Sequence, residues 1–497
     1  MIFLCKTAFG RSLSWFIVGL VSVILCACAA VGPDYIPPST TVSKNWHSQL
    51  KGGLTAEDMD PQLLADWWTT LNDPELSSLM DRAVAGNLDL KKARARVREA
   101  RARRGIAEAN LFPTLDATGS ATWSRSSKDA GTGKTSDLYA TNFDAGWELD
   151  IFGGVRRSVE AAEADLQASR EDLRDVLVSL LAEAALNYVE VRTFQSRLAV
   201  AEANLEAQNE TYRLTQWRYE AGLSDELAVQ QARYNLENAR SQIPTFRTGL
   251  EEAMNRLAVL LGEQPGKVHD ELEKQKPIPV IPLRVAVGVP AETLRRRPDV
   301  RRAERELAAQ TARIGAATAD LYPKFTLSGS IGLEALSLTN LSSSSTRTLS
   351  GGPGITWAIF DAGAIHQNIE VQSALQEQYF IAYEAAVLSA LEEVENALVA
   401  YAEQQQRRQS LSEAAQAAQK AVELARQKYE AGLTDFSNVL EAQRSLLSFQ
   451  NELAQSEGTV TSNLVSLYKA VGGGWTSMAP EEKNVALEVG IRNENEK

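Results

Sequence analysis

The sequence predicts a membrane protein of mixed α and β structure, in which four strands per chain continue into long coiled-coil helices. Three observations support this class: an internal duplication, four stretches of alternating apolar and polar residues, and two unusually long segments with helical periodicity. A sheet of four strands cannot close a membrane barrel, and open edges within lipid leave amide groups unpaired. The chain is therefore expected to assemble with copies of itself.

The duplication is visible as one phrase that occurs twice, 210 residues apart. Residues 218–225 read RYEAGLSD, and residues 428–435 read KYEAGLTD. Other landmarks keep this offset: Ala109–Pro113 with Ala319–Pro323, Gly119 with Gly329, Asp89 with Asp299, and Trp147 with Trp357. Constant spacing over most of a half-chain indicates two like halves that form one structure.

Charge and the first residues restrict the class further. A net charge of −13 argues against a nucleic-acid partner, because phosphate binding needs a basic surface. Residues 1–27 have the charge and apolar pattern of a secretory signal, and their apolar run is too short to span a membrane. The signal ends in a sequence that resembles a bacterial lipobox, with Cys28 at the lipidated position. The alternative is a plain signal sequence with an incidental cysteine.

The rest of the chain is divided by composition and by the repeat. The predicted segments are a lipid-anchored tether (28–72), a first repeat (73–273), a Pro-rich linker (274–290), a second repeat (291–474) and a polar tail (475–497). Proline fixes φ and withholds a donor, so the start of the tether is expected to be extended rather than helical.

Strict alternation predicts strands at 114–124, 139–151, 324–334 and 349–360. Any half-buried antiparallel strand shows this pattern. A lipid-facing barrel wall is favoured because each run has about ten residues, which suits a tilted transmembrane strand. Large apolar residues also stand beside Gly and Ala, and Trp residues lie toward the strand ends, where interfacial aromatic residues collect.

Long helices are predicted at 154–217 and 364–428, each followed by a return helix, at 224–262 and 434–471. The long segments contain no proline and no internal glycine, and their apolar residues recur every three to four positions, as in coiled coils. Each long helix ends at the repeated phrase. Gly222 and Gly432 can adopt positive φ there, and Asp225 and Asp435 are placed to cap the helices that follow.

These elements predict the number of copies. Two copies would supply eight strands and three would supply twelve, and both numbers are even, as in bacterial barrels. An eight-stranded barrel is filled by its side chains, whereas twelve strands leave room for an aqueous lumen. If the assembly is a conduit, three copies are favoured.

Several motifs resemble those of the outer-membrane efflux proteins, the TolC-like channel-tunnels, in the lipoprotein branch that serves tripartite pumps of the RND type. The motifs are Cys28–Tyr35, Trp67–Leu76, Trp147–Gly153, Arg297–Glu304, Tyr322–Pro323, Ile359–Gly363, Glu393–Glu395 and Tyr429–Gly432. The resemblance implies a homotrimer anchored by Cys28, with a β-barrel in the outer membrane and an α-helical tunnel in the periplasm. It implies an efflux duct for small toxic compounds.

The resemblance also implies a site and partners. The helix turns would form a periplasmic gate that contacts an adaptor protein, which is coupled to an inner-membrane pump. The matching residues are Tyr219, Gly222, Asp225, Tyr429, Gly432, Asp435 and Glu441. Family members often carry a basic residue shortly after the second glycine, whereas Thr434 and Asp435 stand here.

No enzyme activity, cofactor or metal site is expected. The residues Gly131–Thr135 half-resemble a phosphate-binding loop, but a strand follows them, so a solvated hairpin loop is the better interpretation. Two alternatives remain open: a duct for polypeptide secretion, and a lipid-anchored periplasmic spacer that conducts nothing.

Overall fold

The computed structural model describes residues 30–39, 42–57, 60–131, 133–279, 282 and 284–475. The elements, in chain order, are β1 (Leu54–Thr55), α1 (Pro61–Ala65), α2 (Pro74–Gly86), α3 (Leu88–Ala109), β2 (Thr114–Arg125), β3 (Thr135–Leu149), α4 (Gly154–Glu220), α5 (Glu226–Leu260), α6 (His269–Leu272), β4 (Val285–Ala286), α7 (Pro290–Arg296), α8 (Pro298–Ala319), β5 (Lys324–Ala335), β6 (Arg347–Thr356), α9 (Ala364–Glu430) and α10 (Phe436–Ala470). Single turns of 3₁₀ helix lie at Trp67–Leu71, Leu338–Asn340 and Ser344–Thr346.

The duplication is expressed in the element boundaries themselves. A shift of 210 residues carries α3 onto α8, β2 onto β5, α4 onto α9 and α5 onto α10, with equal lengths in each pair. The two long helices have 67 residues each, and the two return helices have 35 each. The two repeats therefore fold alike, element by element.

The chain forms two compact units, and each unit takes residues from both repeats. The first contains residues 30–39, together with Arg96–Arg170 and Arg302–Glu384. The second contains residues 42–95, Glu171–Arg301 and residues 385–475. The spatial division thus differs from the division by repeat.

The first unit contains an antiparallel sheet with the strand order β2-β3-β5-β6. Its register places Ala117 opposite Phe143, Phe143 opposite Ile331, and Ile331 opposite Leu349. Because side chains alternate along a strand, the odd-numbered residues share one face. That face exposes large apolar side chains: Leu115, Trp123, Phe143, Trp147, Leu327, Ile331, Leu349 and Ile355.

The even-numbered face of the sheet is polar. Asp116 lies opposite Asp144, and the Thr118 hydroxyl donates a hydrogen bond to Asp144 Oδ2 at 2.9 Å. A sheet with one apolar exposed face and one polar face suits a barrel wall between lipid and water. Within the described residues, β2 and β6 are the edges of this sheet.

Matching contacts hold the ends of the strands in the two repeats. The indole N–H of Trp147 donates to the carbonyl of Leu111 at 2.9 Å, and that of Trp357 donates to Leu321 at 3.0 Å. After β3, the Asp150 carboxylate accepts the backbone N–H groups of Val155 and Arg156, at the first turn of α4. These bonds satisfy donors that a helix start otherwise leaves unpaired.

The second unit has a continuous apolar core. Trp67 stacks on Tyr468 with ring centroids 5.3 Å apart, and side chains from α2, α4, α5, α9 and α10 surround this pair. The buried Arg192 forms an ion pair with Glu75, which also accepts from Lys276 at 2.7 Å. Burying a charge requires such partners.

Several predicted boundaries need correction. The segment predicted as a tether (28–72) is also part of the folded structure: β1 pairs in parallel with β4, and Leu64, Trp67 and Trp68 belong to the core. The linker accordingly contains a strand, β4. The first residue of the predicted tail, Trp475, is packed against the fold: the Arg174 guanidinium lies 4.6 Å from its ring centroid.

β2 and β5 each end one residue later than predicted, and the other two strands differ by more. β3 begins at Thr135 because Ser136 and Leu138 pair with β2, although their composition is typical of a loop. β6 ends at Thr356 instead of residue 360. Ala362 there has positive φ, and the Asp361 carboxylate caps the start of α9, so the chain has already turned.

The long helices run past their predicted ends to Glu220 and Glu430, and α5 continues through Pro244 as one element. In the part of the chain that the structure describes, no helix is both long enough and apolar enough to cross a membrane. Cys28 lies outside the described residues.

Candidate functional site

The two copies of the repeated phrase fold into the same helix-ending turn. In the first turn, the N–H of Leu223 donates to the carbonyl of Arg218 at 2.8 Å, and the N–H of Gly222 donates to Tyr219 at 2.9 Å. In the second, Leu433 donates to Lys428 at 2.8 Å and Gly432 donates to Tyr429 at 3.0 Å. This pair of bonds is the Schellman motif, which satisfies the last carbonyls of a helix.

The glycine in each turn is required by the backbone. Gly222 has φ of +72° and Gly432 has φ of +71°. A Cβ atom added at either glycine would meet nothing within 4 Å. The constraint is therefore conformational and not steric crowding, since L-residues with a side chain rarely adopt this region.

The aspartates after the turns are not equivalent. Asp225 caps α5, and its carboxylate accepts the N–H of Ala228 at 2.9 Å. Asp435 occupies the same position before α10, but its side chain makes no capping hydrogen bond. The sequence-based expectation of two capping aspartates is therefore right for Asp225 and wrong for Asp435.

Tyr429 lies in a small cluster that joins the two helical hairpins α4–α5 and α9–α10. The Arg218 guanidinium lies 4.6 Å from the centroid of the Tyr429 ring, and Phe436 packs beside this ring at 5.2 Å. Ala228 and Ala232 of α5 are buried in the same cluster, together with Val439 and Leu440 of α10. The hairpin ends are thus held together by apolar packing and a cation–π contact.

A second contact between the hairpins lies a few turns further along. The Arg444 guanidinium of α10 donates to Asn235 Oδ1 at 3.1 Å and stacks over the ring of Tyr234, 5.4 Å from its centroid. Both partners belong to α5. Arg444 therefore links the two return helices, α5 and α10, by a hydrogen bond and a cation–π contact.

The remaining predicted residues face solvent. The side chain of Tyr219 is 44% exposed, so the two tyrosines of the repeat have different surroundings. Glu441 is 71% exposed, and its carboxylate lies 3.7 Å from Arg444 on the same helix. An exposed pair at this distance contributes little to stability.

A cavity of about 470 Å³ opens beside the Tyr429 cluster, between α4, α9 and α10. It is lined by Glu210, Thr211, Leu214, Arg426, Tyr429, Phe436 and Gln443, among others. Its walls combine apolar surface with charged and amide groups, and Gln443 donates to the Thr211 hydroxyl at 3.1 Å.

Sequence reasoning missed Arg218, Phe436 and Arg444. A signal for Arg218 was present, since both copies of the phrase place a basic residue before the tyrosine, Arg218 and Lys428. The pairing itself crosses the repeats and is set by the packing of the hairpins. Among the described residues, no group of three His, Cys, Asp or Glu side chains could hold a metal ion.

Comparison with known proteins is consistent with this architecture. The family model described as outer membrane efflux protein matches twice, at residues 79–263 and 289–473, and these two matches have the same 210-residue offset. Nodulation protein T of Rhizobium leguminosarum bv. trifolii is 33% identical, over 92% of this chain and 97% of that protein. The solvent efflux pump outer membrane protein SrpC of Pseudomonas putida is 32% identical, over 91% and 97%.

Solved structures give the same result. The outer-membrane channel OprN superposes with a TM-score of 0.84 at 36% identity, covering 90% of this chain and all of that chain. The fold is therefore that of the outer-membrane efflux channels, with barrel strands and a helical tunnel, and the location is the outer membrane. The family and the relatives are channel proteins. The chain belongs to the outer membrane efflux protein family.

Proposed function

We propose that three copies of this chain form a passive exit duct of a tripartite efflux pump. The observation that carries the proposal is the four-stranded sheet, whose apolar face is exposed and whose edge strands β2 and β6 lack partners within the described chain. Open edges within a bilayer leave each unpaired amide unsatisfied at several kcal/mol. Three sheets joined edge to edge supply a closed wall of twelve strands with a lumen.

The duct does no chemistry of its own and is not an enzyme. A periplasmic adaptor and an inner-membrane pump of the RND type supply substrate and energy. The cargo is a class of small toxic compounds, which the name of the relative SrpC, a solvent efflux protein, supports. Polypeptide export is the alternative that a transport assay with the assembled pump would reveal.

The gate is the set of turns around Gly222 and Gly432, with Tyr219, Asp225, Tyr429, Asp435 and Glu441 beside them. In this proposal, the contact of Arg218 with Tyr429 and the hydrogen bond of Arg444 with Asn235 stabilise the closed form of the gate. Opening the duct requires the two hairpins to separate, so an adaptor that binds the turns would compete with these contacts.

Cys28 anchors the duct in the outer membrane through acyl chains. The lipobox-like sequence supports this assignment. Labelling of cells with palmitate tests it: we expect labelled wild-type protein and an unlabelled Cys28→Ser variant. Label on that variant would exclude Cys28 as the acylated residue.

Reconstitution in planar bilayers tests the function directly. We expect small, infrequent currents from the wild type, and larger and longer openings from a variant in which Tyr429 and Arg444 are both replaced by Ala. Silence from both proteins in the presence of their adaptor would favour the non-conducting spacer. Capture of an adaptor and a pump by crosslinking in cells identifies the partners.

A further inference from the structure

The helices that adjoin the two edge strands have opposite charge. α3 precedes β2 and carries eight Lys and Arg residues against three Asp and Glu. α9 follows β6, and its first 21 residues contain three Glu and neither Lys nor Arg. The repeat equivalents are nearly balanced: α8 has four basic and three acidic residues, and the first 21 residues of α4 have four and five.

The chain contains an internal example of how such helices pack. α8 lies against the start of α4, where Ala308 and Ala309 are buried against Ala164. Beside this apolar contact, Arg313 pairs with Asp165 at 2.5 Å. Small residues in the middle with charged pairs at the rim allow the two helices to approach closely.

The equivalent faces of α3 and α9 are uncovered. Three residues of α8 that are buried are Ala308, Ala312 and Gly315, and their counterparts 210 residues earlier, Arg98, Ala102 and Gly105, are exposed. Three buried residues of α4 are Ala161, Ala164 and Ala168, and their counterparts 210 residues later, Val371, Ala374 and Gln378, are also exposed. The two repeats therefore have equivalent faces, although Arg98, Val371 and Gln378 stand where the packed pair has alanines, and within the described residues only one of the two contacts is made.

We propose that α3 of one protomer packs against α9 of the next, as α8 packs against α4, and that Arg98 then lies between Glu370 and Glu377 of the neighbouring protomer. Arg98 is the counterpart of Ala308, which touches Ala164, and the counterpart of Ala164 is Ala374. Glu370 and Glu377 lie one turn on either side of Ala374, on the same face of α9. This inference rests on the proposed assembly of three copies.

The charge pattern selects the neighbour. Where α8 has Glu304 and Glu306, α3 has Arg94 and Arg96; where α4 has Gln167 and Arg174, α9 has Glu377 and Glu384. These exchanges make one edge of the protomer basic and the other acidic. Two α3 edges or two α9 edges repel each other, so head-to-tail contacts are favoured, and such contacts close into a ring when the rotation between neighbouring protomers returns to the first copy.

Charge reversal tests this contact between α3 and α9 of neighbouring protomers, here called the seam, on the full-length protein purified in detergent. Assembly is measured by sedimentation over a range of protein concentrations, at low and high salt. We expect Arg98→Glu to raise the protein concentration at which half of the chains are assembled. The increase should be about fivefold for each contact between neighbouring protomers, and Glu377→Arg should have a similar effect. The double variant Arg98→Glu/Glu377→Arg should recover part of the loss, because one charge pair is restored while Glu370 still faces a like charge. The matched control Arg240→Glu, at an exposed position on α5, should change nothing.

The outcomes separate the seam from the assembly. If the wild type is not a trimer, the proposed function fails and the seam fails with it. If the wild type is a trimer and neither single variant weakens it, the seam is wrong and the proposed function stands. Additive weakening in the double variant would also overturn the pairing, because the exchanged pair should recover part of the assembly that each single variant loses.

Discussion

The guanidinium of Arg218 lies 4.6 Å from the ring centroid of Tyr429, so corresponding segments of the two repeats touch each other where both long helices end. Arg218 closes the first repeat's helix and Tyr429 precedes the second repeat's turn. The contact joins the α4–α5 hairpin to the α9–α10 hairpin. Any movement that separates the hairpins must break it.

Loss of this contact should favour the open duct. A cation–π pair of this kind contributes about 0.5–1 kcal/mol, so Arg218→Ala should raise the ratio of open to closed channels about two- to fivefold. Single-channel recording in planar bilayers measures this ratio. Arg213→Ala is the control, since Arg213 stacks on the exposed Trp217 of its own helix. Equal openings in the two variants would show that the contact does not restrain the gate.

Substitutions at Gly432 should be graded by the cost of positive φ. Asn tolerates this backbone region, Ala less so, and Val is worst, and the cost of a side chain there is about 1–2 kcal/mol. Because a Cβ atom meets nothing within 4 Å, size alone should not matter. Thermal unfolding should rank the variants Asn, Ala and Val in order of falling stability. Equal stability of all three would mean that the turn relaxes.

The two aspartates offer a matched pair for helix capping. Asp225→Ala removes a capping bond and should destabilise the start of α5 by about 1 kcal/mol, whereas Asp435→Ala should cost less because no such bond is present. Amide hydrogen exchange in the first turns of α5 and α10 measures both. Equal loss of protection would show that Asp435 caps its helix in solution.

A charged group in the second unit should make stability depend on acid pH. Burial opposes ionisation of Asp299, but the hydrogen bond and charge of Arg297 hold the pKa of this carboxyl below its ordinary value. The stability from this pair is present above the unfolded pKa of about 4 and is lost as the pH falls through the folded pKa. Arg297 also binds Glu393 at 2.6 Å and the carbonyl of Ala470 at 2.8 Å.

Arg297→Met should therefore lower the free energy of unfolding by about 2 kcal/mol near neutral pH, because the partly buried carboxylates of Asp299 and Glu393 lose their partner. The loss should be much smaller in acid, where these carboxyl groups are protonated. The double variant Arg297→Met/Asp299→Asn should recover part of this loss. Thermal unfolding between acid and neutral pH measures both effects. A cost that does not change with pH would assign the role of Arg297 to packing alone.

The sequence predicted the repeat, the strands and the long helices well, because each depends on local patterns. Apolar alternation and the absence of Pro and Gly act within a few residues, and the 210-residue offset is visible without any structure. The predicted boundaries were wrong where residues distant in sequence determine the structure. β3 extends over Ser136 because β2 supplies hydrogen bonds, and Trp67 is buried because Tyr468 stacks on it.

The candidate site could be predicted only in part. The turn glycines follow from the backbone that a helix reversal needs, and the structure has both with positive φ. The difference between Asp225 and Asp435 depends on side-chain orientation, which composition does not encode. The contact of Arg218 with Tyr429 depends on how two hairpins pack, so no local pattern could specify it.

The claim on which this account depends is that one protomer holds a third of a closed wall. The native mass of the detergent-purified protein, measured without heating or denaturant, tests this most directly. We predict a single species with the mass of three chains, stable on dilution. A single species with the mass of one chain would contradict the account.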